Sequence, residues 1–218
     1  MSVAVDDVAP PAEGREPFVS VIDDRRGNAG MLLFIVSEAA LFAMLFFSYF
    51  YITRADSQRF IEQPPGLRFA LPMLAALLIS SAVLYLGQRQ IKRRNYDRGR
   101  ILLLLTILIG LVFLPLQYFE HRERLTTLSP QSNAYGSIFY AITGFHAAHL
   151  IFGLMALAYA LILPRLEPTE QSPYRPFHNA ALYWYFVNIV WILVVAILYV
   201  APNVGRMSNG YEPTGAFH

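Results

Sequence analysis

No cysteine occurs anywhere in the 218 residues, and lysine occurs once, at Lys92. The first absence excludes disulfides and thiolate metal sites while leaving the compartment open. Charge is scarce as well: 15% of residues are Asp, Glu, Lys or Arg, whereas 56% are hydrophobic and 14% aromatic. Soluble domains carry roughly a quarter charged residues, so this balance excludes an ordinary soluble domain. The net charge is only +2, with arginines scattered between apolar runs. That pattern offers no nucleic-acid patch. A phosphate-cradling glycine loop, a nucleophile with its base, and ligands enough for haem or copper are also missing, so the chain is expected to hold no catalytic residue and no metal of its own.

What fills the sequence instead is five long apolar runs, about 30–52, 67–88, 101–119, 135–163 and 179–200. Each is near or above the roughly 20 residues a helix needs to cross about 30 Å of hydrocarbon. In lipid the backbone must satisfy its own polar groups, which selects helices here. The expected fold is therefore all-α: an integral membrane protein whose five-transmembrane-helix bundle covers 30–201, between a polar N-terminal tail, 1–29, and a C-terminal tail, 202–218. Met1 to Arg26 is acidic and proline-bearing and is expected to lie mostly extended at the membrane surface. It has no basic segment leading into an apolar core, which argues against a cleaved signal peptide.

Five spans put the two ends on opposite sides. The N-terminal tail and the second-to-third and fourth-to-fifth connectors then share a side and carry eleven basic residues, against six on the other. Cytoplasmic loops carry the excess of Lys and Arg, so the N-terminus is expected in the cytoplasm. No repeat of fixed period and no inverted pair of interrupted helices is present, which weakens a transporter reading.

Few polar residues lie within the runs, and each is a candidate. Glu38 sits about eight residues into the first span, roughly 12 Å along it at 1.5 Å per residue. A carboxyl at that depth is costly; proton exchange, a structural carboxylic acid and a salt bridge are the readings it leaves open. His146 and His149 lie in the fourth run, three residues apart and so expected on one helix face. Buried hydrogen-bonded histidines, a proton-linked site and metal ligation compete there, the last needing further ligands. Gly144 and Gly153 flank them, small residues that let helices approach closely. In the fifth run Trp184, Asn188 and Trp191 form an aromatic and amide-bearing face, with Asn188 a candidate for a cross-helix hydrogen bond and the tryptophans for interfacial anchors. Gln117, Glu120 and Glu123 end the third run and read as a solvated helix end with local ion pairs.

Read together, FIVSE at Phe34 to Glu38, LQYFEHRE at Leu116 to Glu123, YGSIFYAITGFHAAHLIFG at Tyr135 to Gly153 and YWYFVNIVW at Tyr183 to Trp191 resemble subunit III of the haem-copper terminal oxidases. On that resemblance Glu38 corresponds to the family's membrane glutamate. Tyr185 stands where members usually have His, Asn188 where they have Asp, and His178 near a frequent Glu. Many members have seven spans, and this chain resembles the short bacterial form without the first two. The resemblance implies a subunit with no redox centre, in a bacterial inner membrane, packed against subunits I and II. Haem and copper would lie in subunit I, with subunit II a second candidate for copper. It implies bound structural phospholipids and support of proton uptake, and it leaves open membership of a larger respiratory supercomplex. Three other functions stay open: an accessory subunit of a nitric oxide reductase, a stand-alone transporter or metal carrier using Glu38, His146 and His149, and a structural scaffold.

Overall fold

A computed structural model describes residues 17–55, 66–131, 133–162 and 174–202. Among them the chain forms α1 (Pro17–Ala55), α2 (Leu67–Lys92), α3 (Tyr96–Arg124), α4 (Ala134–Ile162) and α5 (Tyr174–Val194), the last continued by a π-helical turn, Val195–Val200. Five stretches are long and apolar enough to span a membrane: Ala29–Arg54, Leu67–Lys92, Tyr96–Arg124, Ala134–Ile162 and Pro176–Val200. They coincide with the five expected runs and overshoot several ends by a few residues. Arg89, Lys92 and Arg122, all exposed, extend helices past the apolar stretch, because long basic side chains can carry their charge back to water.

The N-terminal expectation needs a correction. Residues 17–29 are helical rather than extended, continuous with the first span. Adding residues to an existing helix is far easier than nucleating one, and Pro17 occupies the first position, where a proline's missing N–H is harmless. Residues 1–16, most of the C-terminal tail and the expected span end at Leu163 lie outside the described residues.

Consecutive helices α2 to α5 pack as neighbours, and α1 joins the bundle through α4 and α5. α1 touches it along one stripe: Met31, Ile35, Glu38, Phe42, Leu45, Tyr49 and Ile52 are buried or half-buried. That spacing of four and three is the mark of a helix with one packing face, and the face widens in the second half, where Phe46 is buried and Leu41, Ser48 and Thr53 are half-buried. The opposite side is open, and Leu33, Phe47 and Tyr51 are among the most exposed large hydrophobic residues described.

The centre of the bundle is aromatic. Trp184 and Trp191 are fully buried. Trp184 fits because its neighbours are glycines: a Cβ on Gly110 of α3 would lie 2.7 Å from its ring, and one on Gly153 of α4 would lie 3.0 Å from it. Its indole N–H donates to Ser80 Oγ of α2 at 3.1 Å. One side chain therefore contacts three other helices.

Connections are fixed by polar side chains. Asn133 Oδ1 accepts the Gly136 N–H at 2.7 Å and caps the start of α4, and the Tyr140 hydroxyl donates to Leu128 O at 3.0 Å. At the opposite end of α4, Arg100 Nη2 donates to Leu161 O at 2.8 Å, placing a cation where the helix exposes its last carbonyls. Arg100→Ala is expected to lower bundle stability by about 1.5 kcal/mol, the value of a hydrogen bond to a charged group. Thermal unfolding in detergent checks this, and an unchanged midpoint would show that water replaces the guanidinium at no loss.

Candidate functional site

α1 meets α4 at a carboxyl–imidazole contact. Glu38 Oε2 lies 2.7 Å from His149 Nε2, across 111 residues of sequence. The other ring nitrogen, Nδ1, faces Phe145 O at 2.6 Å. A carbonyl only accepts, so Nδ1 carries a hydrogen and donates it. The Nε2–Oε2 contact is then bridged by a single proton, borne by the imidazole or by the carboxyl, and the pair is neutral overall in either form. The Glu38 side chain keeps 21% of its surface exposed and His149 keeps 10%. Phe42 covers the imidazole edge-on, with ring centroids 4.9 Å apart. One turn back on α1, Phe34 stacks on Tyr183 of α5 at 5.8 Å. The arrangement is a carboxyl–imidazole hydrogen bond whose carboxyl stays partly exposed and is framed by aromatic rings.

His146 does not share this site. Residues three apart in an α-helix differ by about 60° around the axis, enough here to aim the two imidazoles at different neighbours. His149 turns to α1, whereas His146 is fully buried, stacked on Trp191 of α5 at 4.7 Å and edge-on to Phe113 of α3 at 5.4 Å. The expectation of a common direction is thus corrected. Neither of its ring nitrogens has a hydrogen-bond partner among the described residues. Nor, among the described residues, do three or more His, Asp or Glu side chains converge there as a metal site requires.

The end of α3 also departs from expectation. Gln117 and Glu120 are buried rather than solvated, at 5% and 4% exposure; Glu123 alone of the three faces outward. Gln117 Nε2 donates to Thr143 O of α4 at 2.8 Å, and His121 Nε2 lies 3.1 Å from Thr143 Oγ1. Glu120 Oε1 accepts the hydroxyl of Tyr199 at 2.7 Å and lies 3.9 Å from Arg124 Nη2. The polar groups point inward because α4 and the π-helical end of α5 cover that face. Tyr199 and the anchoring role of Thr143 were not singled out from sequence; a hydroxyl in an apolar run was the available signal.

Two further residues behave differently from expectation. Gly144 is exposed, and a Cβ there would meet nothing within 4 Å, so among the described residues it permits no close packing, whereas Gly153 does. Asn188 is buried, but its amide donates to Trp184 O of its own helix at 2.7 Å rather than to a neighbouring helix. The tryptophans are core residues, not interfacial anchors. Tyr185 reaches across helices, its hydroxyl donating to Gln88 Oε1 of α2 at 3.0 Å.

Comparison with known proteins decides which family this arrangement belongs to. A family model described as cytochrome c oxidase subunit III matches residues 20–202. The chain belongs to the cytochrome c oxidase subunit III family. It is 33% identical to the cytochrome c oxidase subunit 3 of Petromyzon marinus and to that of Prototheca wickerhamii, in each case over 178 residues, 78% of this chain and 67% of the relative. The subunit 3 of Pan troglodytes matches at the same identity over the same extent. Glu38, His149, Glu120, Thr143 and Tyr199 all lie within the matched region. With five helices long and apolar enough to span, this subunit III family member is a multi-pass membrane protein, and its family is part of an oxidoreductase complex of the respiratory chain.

Proposed function

We propose that the chain is the non-catalytic subunit III of a bacterial haem-copper terminal oxidase, seated in the inner membrane with its N-terminus in the cytoplasm. It packs against subunits I and II, where subunit I carries the haem and copper that reduce oxygen. It stabilises that core, holds phospholipids and supports proton uptake. The Glu38–His149 contact is the observation that carries this reading. A neutral pair sharing one proton can sit within the membrane without the large penalty of an isolated charge, and its partly exposed carboxyl can still exchange that proton.

Glu38→Gln tests it. The amide keeps the size and a hydrogen bond to His149 but removes the exchangeable carboxyl proton. Assembly and the haem spectrum are expected to be unchanged, while sustained oxygen consumption falls modestly, by much less than the ~100-fold or more lost with a catalytic acid. Full turnover with undiminished lifetime over many cycles would remove Glu38 from the proton role.

A further inference from the structure

We propose that the turn between α2 and α3 is a docking site for the phosphate of an anionic phospholipid headgroup, held chiefly by Arg94 and Arg98. The proposal rests on the membrane-spanning architecture and is independent of the oxidase assignment. From Arg89 to Arg100 there are six cations and one anion, Asp97. Two of the cations are engaged locally: Arg100 binds Leu161 O, and the Arg89 guanidinium sits 5.9 Å above the Tyr85 ring. Arg93, Arg94 and Arg98 are exposed and make neither an ion pair nor a side-chain hydrogen bond among the described residues.

Topology accounts for an excess of cations on one side of the membrane but not for their arrangement. Arg94, Asn95, Tyr96, Asp97 and Arg98 line a cavity of about 280 Å³. That is near the ~300 Å³ lower end of small-molecule sites, a size suited to a headgroup rather than to a whole lipid. The turn lies between a span ending at Lys92 and one beginning at Tyr96, which is the depth of lipid phosphates. Exposed Tyr85, Leu86 and Ile101 continue from it along the two helices and offer an apolar surface to the acyl chains.

Arg94 has φ of 61°, in the left-handed region that arginine adopts at a cost and glycine does not. The turn itself would therefore be better served by glycine. What arginine adds at this position is charge, and a guanidinium meets a phosphate with paired N–H donors. Asp97 opposes this in part, but it is outnumbered in the cavity wall by Arg94 and Arg98.

The strain at Arg94 also supplies a clean test. Arg94→Gly removes a charge while relaxing the backbone, so a misfolded turn cannot explain its effect. The full-length chain, with whatever subunits it retains in mild detergent, is titrated with phosphatidylglycerol or phosphatidylcholine and read by native mass spectrometry. Arg94→Gly/Arg98→Gln is compared with Arg54→Gln/Arg68→Gln, which removes two exposed arginines from the other end of the bundle. A cation near an anionic lipid surface is worth about fivefold in binding. The first pair is expected to weaken phosphatidylglycerol binding about thirtyfold and phosphatidylcholine binding, whose phosphate is offset by its own cation, much less, and the second pair is expected to change neither. Wild-type affinity in the first pair, an equal loss in both pairs, or no preference for phosphatidylglycerol in the unmodified protein would overturn the proposal. So would loss of a protein subunit at unchanged lipid affinity, which would make the turn a protein-docking surface.

Discussion

Trp184→Ala is expected to lower the stability of the bundle by about 3–5 kcal/mol, the range for truncating a large buried aromatic. The size follows from where the ring sits. It is fully buried, it lies against Gly110 of α3 and Gly153 of α4, and it donates to Ser80 of α2. Lipid gives no hydrophobic drive for helices to associate, so packing and interhelical hydrogen bonds must hold them together. Truncation removes both at one point and opens a cavity that two glycines cannot fill, because neither has a side chain to move into it. Trp184→Phe keeps much of the packing but not the hydrogen bond and should lose about 1–2 kcal/mol. Unfolding of the purified protein by a denaturing detergent, followed by helix content, measures both. Equal losses for Ala and Phe would mean that the Ser80 hydrogen bond, not the packing, is what the ring contributes.

Gly110 illustrates what the sequence conceals. The spans themselves are legible, because some twenty apolar residues in a row admit one structure in lipid. Which small residue in a span faces another helix is not, since Gly144 and Gly153 look alike in sequence while one is exposed and the other touches Trp184. Period is a weak guide when nearly every position is apolar: the lipid-facing and the core-facing sides of α4 are equally hydrophobic. Glu38 and His149 each stood out as polar residues in apolar runs, yet nothing local announced that they meet across 111 positions. Glu120 misled in the opposite way. Polar residues at the end of a span normally mean water, and only the cover supplied by α4 and the end of α5 turns that helix end into an interior.

That cover depends on the π-helical turn, Val195–Val200. A π-turn inserts one residue into the helical course, which rotates everything after it by about 100° relative to a regular α-helix. Tyr199 lies within the turn and is directed at Glu120, 2.7 Å from its carboxyl. Glu120→Leu should then be damaging beyond the loss of one hydrogen bond. It removes the acceptor of a fully buried tyrosine hydroxyl and the carboxyl beside Arg124, whose side chain is only 12% exposed. Breaking one side of a buried polar pair costs about 3–5 kcal/mol, mostly through the partner left behind. Tyr199→Phe removes the hydroxyl instead and leaves Glu120 with Arg124, so its expected cost is about 1–2 kcal/mol. Combining the two changes supplies the decisive number. If the hydroxyl and the carboxyl are energetically one unit, the double variant should be more stable than the sum of the single losses implies by at least about 1 kcal/mol. Strict additivity in the same detergent-unfolding assay would show that Tyr199 is placed by packing alone and that the π-turn does not exist to serve Glu120.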